Sequence, residues 1–130
     1  GIICVHNIPV ISKCEPHLAD IVGIAHVGYI PTERVVGLSK LPRVVNVFAR
    51  RLQVQERMTS QIANAIFKHP ELKPKGVAVI IRAAHHCMST RGVRIHGSST
   101  TTSEMRGVFE EREMEMKFLA FCQAAEKKHD

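Results

Sequence analysis

The chain has 130 residues, 45% of them hydrophobic, which is the size of one domain with one modest core. No apolar run approaches the ~20 residues of a membrane span, and no charged start leads into an apolar signal-type segment. With 18 Lys and Arg against 12 Asp and Glu the formal charge is +6, which favours anionic partners. The basic residues are scattered, however, and one Tyr and five Phe give little surface for stacking bases, so a phosphate-bearing small molecule fits better than a nucleic acid.

Residues 2–12 are rich in Ile and Val and read as a strand, with Pro9 marking an edge or a bulge. Cys14 to His17 forms a turn-like loop. Residues 21–30 read as a second strand ended by Pro31, and Arg34–Gly37 as a short return strand. Ser39 is placed to cap a helix from about Leu41 to Leu52, with Pro42 in the first turn, where its missing N–H costs nothing. Leu41, Val44, Val45, Phe48 and Leu52 recur at helical spacing. A second helix spans about Val54 to Lys68, with Met58, Ile62, Ala65 and Ile66 on one face and His69-Pro70 as its stop. Pro74-Lys75-Gly76 turns into a buried strand, Val77–Ile81. Gly92–His96 alternates and can pair back as a hairpin. Gly97–Ser103 is a small-polar run, either a loop or a strand with exposed hydroxyls. A last helix runs from about Glu110 to Lys127 with Met114, Phe118, Leu119 and Cys122 as its apolar stripe. Strands and helices come in blocks, which is an α+β order without a second domain.

The chemistry gathers where the buried strand ends, in Arg82-Ala83-Ala84-His85-His86-Cys87-Met88-Ser89-Thr90-Arg91. Strand alternation puts His85 and Cys87 on one face and His86 on the other. Upstream stands Cys14-Glu15-Pro16-His17. Cys14, His17 and Cys87 together would give zinc three ligands and an open fourth position, the pattern of a catalytic rather than a structural site. Such a site brings the pKa of water toward neutrality, and His85 is then a general acid/base; the plainer alternative for His85 is a hydrogen-bonded structural histidine. Of the four cysteines, Cys4 in a strand and Cys122 in a helix read as core residues, and without a secretory signal the expected location is cytoplasmic. Ser39, Lys40 and Arg43 sit at a helix N-terminus, where free N–H groups bind anions, and Arg91 can join them; the alternative is a solvated basic face. Gln55 and Glu56 open the second helix. Glu56 either complements the helix dipole or accepts paired N–H groups from a guanine edge. His26 reads as structural; His6 and His96 have no evident role.

Four stretches together resemble the GTP cyclohydrolase I family: Gly37-Leu38-Ser39-Lys40-Leu41-Pro42-Arg43; Arg51-Leu52-Gln53-Val54-Gln55-Glu56-Arg57; His85-His86-Cys87-Met88 with Arg91-Gly92; and Ser99-Thr100-Thr101-Thr102-Ser103. The similarity runs from about Ser12 to Phe121. It implies the tunnelling fold (T-fold), an antiparallel sheet with two helices packed on one face, plus the C-terminal helix. It implies a single catalytic domain over residues 1–130, without counterparts of the family's N-terminal helices. It also implies toroidal rings stacked into a homodecamer, with active sites between subunits. The implied reaction opens the imidazole ring of GTP, releases formate and closes a pterin ring to give 7,8-dihydroneopterin triphosphate, with Zn2+ as cofactor. By this resemblance Cys14, His17 and Cys87 are the zinc ligands and His85 the catalytic histidine. Gln55 and Glu56 recognise guanine, and Ser39, Lys40, Arg43 and Arg91 hold the triphosphate. One departure bears on the chemistry. The family reads Cys-Glu-His-His where this chain has Cys14-Glu15-Pro16-His17, and Pro16 cannot carry the proton of the histidine it replaces. His86, on the other strand face, does not take its place. A catalytically weakened GTP-binding paralogue that regulates or co-assembles with an active enzyme is therefore the alternative.

Overall fold

In β1 (Ile3–Cys14), Ile8, Val10, Ser12 and Cys14 are buried while Pro9, Ile11 and Lys13 between them are exposed, so one side of the strand faces the core. The computed structural model describes residues 1–14, 20–33, 39–89, 92–95 and 99–127, and for 85–89 and 92–95 the backbone alone. β1 pairs antiparallel with β2 (Asp20–Ile30), from Lys13↔Asp20 to Ile3↔Tyr29. The ladder slips between Val5 and Ile8, so that His6 and Asn7 together oppose His26, a β-bulge. Asn7 has φ +55°, a left-handed conformation that Asn tolerates better than most residues. The extra residue inverts the parity of the strand, and so Ile3 and Val5 before the bulge and Ile8 and Val10 after it reach the same core.

The apolar run Val77–Ile81 lies in β4 (Gly76–Ser89), a central strand that pairs with three others. One edge takes β2, from Gly76↔Ile30 to His86↔Asp20. The other takes β6 (Thr100–Gly107) along Gly76–Ala83 and β5 (Gly92–Ile95) along His86–Ser89. All these pairs are antiparallel. The exception is β3 (Leu52–Gln53), which runs parallel to the end of β1 through Lys13↔Leu52 and Cys14↔Gln53.

β4 distributes its side chains to two cores. Val77, Val79, Ile81 and Ala83 face α1 (Lys40–Ala49) and α2 (Gln55–Phe67), which contribute Leu41, Val45, Met58, Ile62 and Ile66. Ala78 and Ile80 face the opposite side, with Phe109 of the 3-10 turn Val108–Glu110 and with Phe118 and Cys122 of α3 (Arg112–Lys127). The helix comes close because β2 carries Gly28 there: a Cβ would stand 2.7 Å from Phe118 Cδ1. The expected two helices pack on one face of the sheet, and the structure puts the C-terminal helix on the other.

Some expectations are corrected. α1 ends at Ala49 rather than Leu52, because Leu52-Gln53 joins the sheet edge and the Gln53 amide donates to the Phe48 carbonyl at 2.7 Å, closing the turn. Ser39 does not cap α1 with its side chain. Its angles (φ −70°, ψ −17°) are helical, whereas a capping hydroxyl needs an extended backbone to reach the N–H groups ahead. Val108–Glu110 forms a 3-10 turn and α3 starts at Arg112. The hydroxyl run is a strand from Thr100 onward, since it has β4 to pair with. The return strand expected at Arg34–Gly37 lies outside the described residues. Among the described residues no helix is long and apolar enough to cross a membrane.

Candidate active site

Sheet register brings the two chemistry-bearing segments to one end of the sheet. Ser12 pairs with Ile21, which pairs with His85; Lys13 pairs with Asp20, which pairs with His86. Cys14 is the next residue on β1 and Cys87 the next on β4, so the two positions stand in matching rows two strands apart, about 9–10 Å between backbones. Cys14 is a free thiol, buried in the core beneath α1 and α2. Val77, Val79, Ile81 and Ala83 turn toward the same helices, and positions 85 and 87 continue that parity along β4. Pro16, His17, Arg91 and His96 lie outside the described residues, and His85, His86 and Cys87 are described by backbone only.

The first turn of α2 is anchored against this strand. Gln55 is 2% exposed. Its side-chain amide donates to Thr100 O at 2.9 Å, to Thr102 Oγ1 at 3.1 Å and to Ile81 O at 3.2 Å. The Thr59 hydroxyl donates to the backbone carbonyl of Gln55 at 2.8 Å. That spends its proton, so in the 2.7 Å contact between Thr59 Oγ1 and Thr102 Oγ1 the Thr102 hydroxyl is the donor. The result is a closed ring, Gln55 amide to Thr102 to Thr59 to Gln55 carbonyl, tying α2 to β6 and β4. Glu56, the next residue, is exposed in the first helical turn. Ser39, Lys40 and Arg43 are exposed at the start of α1, and Lys40 Nζ lies 3.9 Å from Glu71 Oε2 in a solvent-screened pair.

Sequence reasoning missed one cluster. At the bulge, His6 Nδ1 lies 3.0 Å from His26 Nδ1, and the Asn7 N–H donates to the same His26 nitrogen at 3.3 Å. With Nδ1 accepting, the His26 proton belongs on Nε2. That atom is buried and has no hydrogen-bond partner among the described residues; Glu126 Oε2 is 3.7 Å away. Cys122 of α3 completes a group whose ligand atoms all lie within 4.8 Å of one another. Burial, then the His6 and Arg82 charges, pull the His26 pKa down to about 4, which leaves a neutral imidazole. Burial pushes the Cys122 thiol up to about 12 and the Cys4 thiol up to about 11. The hairpin pattern hints at a His6–His26 approach, but only the bulge sets their register, and nothing in the residue types announces it.

Comparison with known proteins places these features. The family model described as GTP cyclohydrolase I matches residues 1–123. GTP cyclohydrolase 1 of Bartonella henselae is 54% identical over 112 residues, covering 81% of this chain and 53% of that protein. GTP cyclohydrolase 1 of Mycobacterium tuberculosis is 56% identical over 110 residues, covering 83% of this chain and 54% of that protein. The chain thus spans about half the length of the curated relatives it matches. Among solved structures, an archaeosine synthase QueF-Like protein in the apo form superposes with a TM-score of 0.61 at 14% identity, over 82% of this chain and 93% of that one; the likeness shows a shared T-fold. With relatives more than half identical and a family match running from the first residue into α3, the chain belongs to the GTP cyclohydrolase I family.

Proposed function

We propose that this chain carries the active site of an enzyme that hydrolyses and rearranges GTP to 7,8-dihydroneopterin triphosphate and formate. The observation that carries the reading is the shared end of the sheet. Cys14 closes β1 there in the row of position 87 of β4, with position 85 in the row of Ser12, in a chain of this family. The donor set fits zinc: two thiols and an imidazole from Cys14, Cys87 and His17, with Cys14 free and buried. A bound zinc ion supplies Lewis acidity that brings water ionisation toward neutral pH. His85, two residues from Cys87 on the same strand, moves protons to and from the opening imidazole ring. Glu56 accepts paired N–H groups of guanine, and Gln55 serves that subsite by fixing the first turn of α2 through its ring of hydrogen bonds. Lys40, Arg43 and Arg91, with Ser39, hold the triphosphate.

Assembly into rings belongs to the same proposal. Ile11 is 71% and Val22 40% exposed, and as ladder partners they share one face, an apolar strip that a second copy can cover. In a folded, zinc-loaded preparation, Cys87→Ser and His85→Ala are expected to abolish formate release from GTP; turnover that survives both overturns the assignment. The second reading, a GTP-binding paralogue with weakened chemistry, rests on Pro16, which has no proton to give. A large gain in turnover on Pro16→His supports that reading, and unchanged or lower turnover counts against it.

A further inference from the structure

We propose that His6, His26 and Cys122 form a second metal site, for a thiophilic divalent ion of the zinc class, on the sheet face opposite α1 and α2. The site is independent of the Cys14, His17 and Cys87 assignment. Its three ligands come from three elements. His6 lies at the bulge of β1, His26 opposite it on β2, and Cys122 on α3. Around a tetrahedral zinc, with Zn–N ~2.0–2.1 Å and Zn–S ~2.3 Å, ligand atoms stand about 3.3–3.8 Å apart. The two imidazole Nδ1 atoms are already 3.0 Å apart, and the whole group lies within 4.8 Å, so small side-chain shifts complete the geometry.

The surroundings fit an ion better than they fit its absence. His26 Nδ1 has a single lone pair, shared between His6 Nδ1 at 3.0 Å and the weak 3.3 Å bond from the Asn7 N–H, and an ion takes that lone pair in place of both. His26 Nε2 is buried with no hydrogen-bond partner among the described residues. An ion on Nδ1 leaves the Nε2–H directed toward Glu126 Oε2 at 3.7 Å, the carboxylate–histidine–metal order that orients ligating histidines. Glu126 is itself fixed, since Arg82 Nη1 holds its Oε1 at 2.7 Å, and that pairing offsets the guanidinium charge near the ion. His6 is only half-buried, which gives an entry path and an open position for water. Functionally the ion would pin α3 to the β1–β2 hairpin.

Metal content of the reduced, zinc-loaded chain tests this, measured beside Cys14→Ser, Cys122→Ser and His6→Gln. The expected result is two zinc ions per chain in the parent and one each in Cys14→Ser, Cys122→Ser and His6→Gln. Cobalt loading adds a reading of ligand type. Cys14→Ser should retain a thiolate-to-cobalt charge-transfer band that the Cys14→Ser/Cys122→Ser double variant loses. If Cys122→Ser fails to fold, His6→Gln carries the test, since His6 is half-exposed. One zinc in the parent that Cys14→Ser removes and His6→Gln leaves untouched overturns the second site while sparing the first. One zinc that His6→Gln removes and Cys14→Ser leaves untouched does the reverse.

Discussion

The hydrogen-bonded ring at the start of α2 makes a quantitative prediction. Gln55→Leu keeps the side-chain volume roughly constant but removes the amide that serves Ile81 O, Thr100 O and Thr102 Oγ1. Thr100 is exposed, so water can replace the donor to its carbonyl; Ile81 is buried and Thr102 is half-buried, so those acceptors lose a partner away from solvent. A buried group left unpaired costs about 1–3 kcal/mol, and since Thr102 keeps its bond to Thr59 the change is about 1–3 kcal/mol. With a urea slope of ~2 kcal/mol/M, the unfolding midpoint falls by about 1 M, measured at fixed chain concentration because assembly would contribute. Thr102→Val breaks the same ring, so the double variant should show a coupling of about 0.5 kcal/mol or more relative to the sum of the singles. A cost below about 0.5 kcal/mol for Gln55→Leu, or strict additivity with Thr102→Val, would refute the claim that the ring anchors the first turn of α2.

Three further outcomes follow from packing and backbone geometry. A Cβ at Gly23 would press on the Arg82 carbonyl and stand 2.6 Å from Ala83 Cα, so Gly23→Ala should force β2 and β4 apart and leave little soluble folded protein; normal yield and melting would contradict this register. Phe118 is fully buried and meets Phe109 edge-to-face with centroids 5.9 Å apart, so Phe118→Ala should cost about 3–5 kcal/mol and raise amide exchange in α3 before the β4 core. At the bulge, Asn7→Gly should change stability by a few tenths of a kcal/mol, whereas Asn7→Val should cost about 1–2 kcal/mol; equal urea midpoints for the two variants would show that φ at Asn7 is not left-handed.

Much of the architecture was legible because its pattern is local. Val77–Ile81 reads as a central strand, and Met58, Ile62 and Ile66 as a helix face, from apolar spacing alone. What escaped depends on partners distant in sequence. Leu52-Gln53 continues a helical pattern on paper but leaves it because the end of β1 offers an edge. The Gly97–Ser103 run reads as loop or strand alike, and pairing with β4 from Thr100 onward decides it. Ser39 has the residue type of a cap but not the backbone angles. The family motifs point to Cys14, Glu56, His85 and Cys87, yet that Cys14 and the 85–87 stretch share one end of the sheet is a fact of register. Gln55, read as a substrate contact, has its side-chain amide committed to β4 and β6, which no single-sequence pattern reveals. His6 and His26 meet only because one extra residue at the bulge sets them opposite each other.

The most direct test of the central claim is a GTP turnover measurement on the zinc-loaded chain that follows formate release and pterin absorbance together. The account predicts that both products appear in equal amounts and that both vanish in Cys87→Ser. GTP that binds to a folded, zinc-loaded protein yet yields neither formate nor pterin would contradict it.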